Sequence, residues 1–124
     1  MLRILLAESQ SSLRSAMKLN LEQDSGIAFI AEAADYQSLL DVLTKEKFDF
    51  ILLDWDLPGF QIESLTSIYQ LVPDIKLVIL GRQLSIQRFA LAAGADGFVL
   101  KGGPPGKLIQ EINSIRSSFD IPAD

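Results

Sequence analysis

Histidine and cysteine are both absent from the 124 residues. Their absence excludes Ser-His-Asp and Cys-His nucleophile systems, zinc clusters, disulfides and any phosphohistidine carried by this chain. Acid–base chemistry must rest on carboxylates and lysine. Basic residues are also scarce, eleven Lys and Arg against sixteen Asp and Glu for a net charge of −5. That is the wrong sign for a domain that holds phosphate backbones through counterion release, so direct nucleic-acid binding is not expected. No apolar run approaches the roughly 20 residues of a membrane span, and the N-terminus has no signal-peptide h-region. The chain reads as cytoplasmic, with no membrane contact. What is present is ordinary globular composition, 48% apolar and 22% charged, at a length that suits one domain. Residues 1–124 are therefore expected to form a single domain, with 119–124 a tail or the start of a linker.

Short aliphatic runs alternate with longer segments of helical spacing, the pattern of a parallel sheet wrapped by helices. The strand candidates are Arg3 to Ala7, Ile27 to Ala33, Asp49 to Leu53, Lys76 to Leu80 and Gly97 to Leu100. Between and after them apolar residues recur at three or four: Leu13, Ala16, Met17, Leu21; Leu39, Leu40, Leu43; Ile62, Leu65, Ile68, Tyr69; Ile86, Phe89, Ala90, Ala93; and Leu108, Ile109, Ile112, Ile115. These predict five amphipathic helices. Gly26, Pro73-Asp74 and Gly94-Ala95-Asp96-Gly97 punctuate the strand entries, and Pro104-Pro105 opens the last helix, where a missing N–H costs nothing. The fold class is α/β: a five-stranded parallel sheet of order 2-1-3-4-5 in a flavodoxin-like arrangement.

In such a sheet, ligands and chemistry gather at the carboxyl ends of the strands. There the first strand runs into Glu8-Ser9, the third ends on Asp54 followed by Trp55-Asp56-Leu57-Pro58-Gly59, the fourth ends Leu80-Gly81-Arg82, and the fifth ends on Lys101. With strands one and three adjacent, Glu8 comes beside Asp54, and Lys101 reaches in from the next strand but one. Two carboxylates and an ammonium would meet in one cleft, where, without a metal, the carboxylates are expected to repel each other.

In order and at these spacings, Ile4-Leu5-Leu6-Ala7-Glu8, Ile51-Leu52-Leu53-Asp54-Trp55-Asp56-Leu57-Pro58-Gly59, Gly94-Ala95-Asp96-Gly97-Phe98-Val99-Leu100-Lys101 and Pro105 resemble a receiver domain of bacterial two-component response regulators, over residues 2 to 118. The resemblance implies a signalling module rather than an enzyme. It places Asp54 at the phosphoacceptor position, facing a partner histidine kinase; Mg²⁺ would be held by Glu8, Asp54 and the backbone carbonyl of Asp56, Lys101 would pair with the acceptor and the phosphoryl group, and Phe98 takes the position of a mobile aromatic. A homodimer through the fourth-helix to fifth-helix side is compatible with it.

Two parts of the pattern are missing. Ser9 stands where a second acidic metal ligand is usual, and Gly81 stands where a hydroxyl normally follows the phosphoryl group. Because Mg²⁺ depends on charged oxygens, its binding is expected to be weak or absent. Ser9 also reads as a helix N-cap, Trp55 as a core residue on the opposite strand face and Arg82 as solvated. Gly102 after Lys101 predicts a trans, loose loop. Ser9 and Gly81 are expected outside the packed core, so that Ser9→Asp and Gly81→Thr should be tolerated. Three readings remain: an interaction module that works without phosphorylation, a working phosphoacceptor with weakened metal affinity, and an unrelated flavodoxin-like binder, against which stands the lack of a Gly-rich loop after the first strand.

Overall fold

The computed structural model describes residues 1–118; the expected tail at 119–124 lies outside them. Five strands and five helices alternate: β1 (Leu2–Ala7), α1 (Ser11–Glu22), β2 (Ile27–Ala33), α2 (Tyr36–Lys45), β3 (Phe50–Asp54), α3 (Ser64–Leu71), β4 (Lys76–Gly81), α4 (Ile86–Ala92), β5 (Gly97–Leu100) and α5 (Gly106–Ser118). The sheet is parallel throughout, in the order β2-β1-β3-β4-β5. β3 and β4 each extend one residue further toward the carboxyl edge than their apolar runs predict, taking in Asp54 and Gly81. Among the described residues no helix is long and apolar enough to cross a membrane.

Side chains alternate across a strand, and the core divides accordingly. Leu5, Ile51, Leu53, Leu77 and Ile79 face Leu39 and Leu43 of α2, Leu65 and Ile68 of α3 and Ala90 of α4. Ile4, Leu6, Phe50, Leu52, Val78 and Leu80 face Leu21 of α1 and Leu108, Ile112 and Ile115 of α5. β3 is buried along its whole length, which explains its unbroken apolar run. β2, an edge strand, carries a charge within its apolar run: its Glu32 pairs with Arg14 and Lys18 of α1 at 3.1 and 3.2 Å.

The alternation also places the polar ends. Ala7 pairs with Leu53 across β1 and β3, so Glu8 and Asp54 follow in register with the parity of Leu6 and Leu52. Lys101 has the parity of Val99, which packs on the same face. Gly81 and Phe98 share the opposite parity.

Candidate functional site

Glu8 and Asp54 are 0% and 1% exposed, the buried charged residues of the described chain. Two unpaired carboxylates in such a place would be costly. Lys101 resolves this: its ammonium lies 2.6 Å from Asp54 Oδ1 and 2.8 Å from Glu8 Oε1, with its side chain 6% exposed. The expectation of mutually repelling carboxylates is therefore corrected, because one cation bridges both. Glu8 Oε2 accepts the Gln10 N–H at 3.1 Å, whereas Oε1 meets Lys101 off the hydrogen-bonding direction and accepts no directed bond. Lys101 is delivered by β5, with its N–H donating to the Gly81 carbonyl at 2.8 Å. Gly102 then turns the chain at φ +80°, a backbone that side chains resist, and the described residues contain no cis peptide.

Asp54 is held from three sides. Besides Lys101, Oδ1 accepts the Asp56 N–H at 2.9 Å, and Oδ2 accepts the Ser9 hydroxyl at 3.1 Å. Burial pushes the carboxyl up, but the hydrogen bonds from Lys101, Asp56 and Ser9 and the charge of Lys101 outweigh it and hold it below its ordinary 3.8. Native Asp54 binds its proton less readily than the unfolded chain does. Its contribution to stability is therefore full above about pH 5 and lost as pH falls below about 4 through its lowered value. Acid unfolding of Asp54→Asn should show a shallower limb in that window than the wild type; superimposable limbs would contradict the ionised, paired carboxylate.

Ser9 does not cap α1. The helix starts at Ser11, and its cap position is Gln10, whose side chain makes no capping bond. The hydroxyl of Ser9, one residue too early to reach the free N–H groups of the first turn, is donated to Asp54 instead. The Asp56 side chain is exposed and turned outward, 3.9 Å from the likewise exposed Arg82. Trp55 does project to the face opposite Asp54, but it is half-buried rather than core, with its ring edge toward Phe60 at 6.3 Å between centroids.

Arg14 was not singled out by motif. It donates to the Glu8 carbonyl at 2.7 Å and pairs with Glu32, fastening the β1–α1 loop. The only signal for it is its position, one turn into the helix that follows Glu8.

Gly81 is buried, contrary to expectation. A Cβ there would lie 2.7 Å from Phe98 Cε1 and 3.0 Å from Cζ. Phe98 is 8% exposed, packed inward on the α2–α3–α4 side. Threonine at 81 is therefore obstructed by a neighbouring ring, and not by its backbone, which is an ordinary strand.

The donors available to a magnesium ion are the carboxylates of Glu8 and Asp54 and the Asp56 carbonyl. Among the described residues no group of three His, Cys, Asp or Glu side chains converges on a metal position. Lys101 pairs with both carboxylates and leaves one net negative charge, and Ser9 contributes a neutral hydroxyl. A small, hard divalent ion takes oxygen donors of this kind together with water.

The chain is similar to known proteins. NarP of Escherichia coli, a nitrate/nitrite response regulator protein, is 30% identical over 115 residues, covering 90% of this chain and 54% of NarP. PhoB of Klebsiella pneumoniae, a phosphate regulon transcriptional regulatory protein, is 34% identical over 119 residues, covering 91% and 51%. The chemotaxis protein CheY-3 of Vibrio cholerae is 29% identical over 120 residues, covering 92% and 91%. The chain spans about half the length of the first two and nearly all of the third. The isolated receiver domain of RcsB from Salmonella enterica serovar Typhimurium superposes with a TM-score of 0.85 at 20% identity, over 94% of this chain and 88% of that one. With residues 4–113 matching the response regulator receiver domain, and the fold and order of elements in agreement, the chain belongs to the receiver-domain family of two-component response regulators.

Proposed function

We propose that this receiver domain works as a protein-interaction module of two-component signalling in which Mg²⁺-dependent phosphorylation of Asp54 is impaired or absent. The observation that carries this reading is the neutral Ser9 hydroxyl on Asp54 Oδ2, where a further carboxylate would have supplied charge for a metal. Lys101, already bridging Glu8 and Asp54, supports it. In this reading the domain is not an enzyme. Its partner is a histidine kinase or another signalling protein, with a second copy of the chain as a further partner, and it acts in the cytoplasm. Its charge of −5 disfavours a nucleic-acid contact of its own.

A second reading, a working phosphoacceptor with weakened metal affinity, is favoured by one feature: Asp54 is held ionised, with an ammonium at 2.6 Å, as a carboxylate nucleophile needs. Intact-mass measurement after treatment with acetyl phosphate and Mg²⁺ separates the two. No added phosphoryl group is expected. A gain of one such group that disappears in Asp54→Asn would establish the second reading in place of the first. In parallel, Mg²⁺ titration followed by Trp55 fluorescence should show no saturation in the low-millimolar range.

A further inference from the structure

Two charge networks meet at Glu8. In the acid pocket two carboxylates share one ammonium, that of Lys101, which leaves a net negative charge. Beside the pocket the count is reversed, since Glu32 of β2 pairs with two cations of α1, Arg14 at 3.1 Å and Lys18 at 3.2 Å. Glu8 belongs to both networks, through its carboxylate to the first and through its carbonyl to the second. Arg14 Nη1 donates to that carbonyl at 2.7 Å, and Arg14 Nε donates to Glu32 Oε1. One planar guanidinium thus holds a side chain of β2 and the backbone of the β1–α1 loop together, as a fork can and a lysine cannot. With the Arg14 side chain only 20% exposed, the bond to the carbonyl is a sheltered, charge-assisted one.

The Glu8 carbonyl is part of the peptide bond that leads into Ser9. Because a peptide unit is planar, a bond that fixes its oxygen also restricts the direction in which the chain enters Ser9. The other side of Glu8 is tied as well, its N–H donating to the Ala33 carbonyl of β2 at 3.0 Å. Ser9 needs this support, since it lies between β1 and α1 and belongs to neither. From there one rotation, χ1, carries its hydroxyl to Asp54 Oδ2 at 3.1 Å. We propose that Arg14 is a positioning residue of the acid pocket: anchored on Glu32, it clamps the Glu8–Ser9 peptide and so holds the Ser9 hydroxyl on Asp54. The inference takes up the hydroxyl on which the proposed function rests and names what keeps it in place.

The test reads position 9 directly by NMR in the full chain, because a mere strap between α1 and β2 would change the Tm and leave the pocket as it is. In the wild type the Ser9 Hα–Hβ couplings should be those of a single χ1 rotamer, and the Gln10 N–H, which donates to Glu8 Oε2, should be protected from exchange. In Arg14→Met the couplings should average and Gln10 should exchange about tenfold faster or more, as the loss of a charged hydrogen bond allows. Glu32→Gln, which weakens the anchor of the guanidinium, should move both signals less and in the same direction. Lys18→Met should leave both at their wild-type values, since Lys18 donates to Glu32 and not to the loop. Arg14→Lys keeps the charge but loses the fork; it should also move both signals, and it takes over the test if Arg14→Met does not fold. Wild-type signals in the Arg14 variant, averaged couplings already in the wild type, or an equal change in Lys18→Met would each overturn the clamp. No readout involves Mg²⁺ or a phosphodonor. A phosphoryl group gained at Asp54 would unseat the proposed function and leave the clamp standing, and an unmoved Ser9 in the Arg14 variant would do the reverse.

Discussion

Replacing Lys101 with alanine should destabilise the protein by about 3–5 kcal/mol, the usual cost of stranding buried charge by deleting one partner. Here two carboxylates are stranded, since Lys101 is the ammonium within 2.8 Å of Glu8 and 2.6 Å of Asp54, and neither is accessible enough for water to replace it. Lys101→Met keeps most of the aliphatic stem and should cost nearly as much, which assigns the loss to charge and not to packing. Glu8→Gln in the Lys101→Met background should recover part of it, because one stranded charge is removed. Asp54→Asn is a much milder change. It leaves Glu8 balanced by Lys101 and keeps an oxygen for the Asp56 N–H, so its cost should be about 1 kcal/mol, the scale of a net hydrogen bond. The sign is destabilising because the folded state favours the ionised form of Asp54. Urea unfolding at neutral pH measures all four variants. A loss below about 1 kcal/mol for Lys101→Ala would mean that the carboxylates escape the pocket or share a proton, contrary to the bridged arrangement.

The bridge was legible in the sequence because strands carry direction. The apolar run Phe50 to Leu53 and the run Ile4 to Ala7 fix the period-2 alternation on neighbouring strands, and Glu8 and Asp54 extend both runs by one step. Lys101 extends β5 in the same way. Where the strands end, the period ends too, and so does the inference. Whether Ser9 caps α1 or reaches Asp54 turns on a one-residue offset in where the helix begins, and composition does not encode that offset. The outward turn of Asp56 toward Arg82 is a loop property of the same kind. Gly81 misled for a different reason. A glycine at a strand end reads as an open position, and only the pairing of Ile79 with Phe98 across β4 and β5 shows that a ring occupies the space. Helix faces were legible where they meet the sheet squarely, as with Leu108, Ile112 and Ile115 of α5. They were less so in α1, where Leu21 is the one fully buried residue and Leu13, Ala16 and Met17 line a surface groove against the β5–α5 loop.

Ser9→Asp should invert the effect of Mg²⁺ on stability. The Ser9 hydroxyl lies 3.1 Å from Asp54 Oδ2, so aspartate there brings a third carboxylate against a pocket whose single ammonium is already shared by two. In chelator-treated buffer the variant should be less stable than wild type by on the order of 1 kcal/mol, from like-charge repulsion and the loss of a donated hydrogen bond. The same carboxylate adds a further charged oxygen beside Asp54 and the Asp56 carbonyl. Added Mg²⁺ should therefore stabilise Ser9→Asp by an amount that grows with concentration, about 2.7 kcal/mol at a hundred times its Kd, while wild type changes little. Thermal melts of the two proteins with and without Mg²⁺ should cross: wild type higher without the ion, the variant higher with it. Trp55, adjoining Asp54 in sequence and half-buried, gives an independent fluorescence titration of the same event. Asp54→Asn in the Ser9→Asp background should abolish both signals, which ties them to this pocket. A variant that folds yet shows no Mg²⁺ response would locate the obstacle in Lys101, whose ammonium would then be holding the cation position against a divalent ion even when three carboxylates surround it.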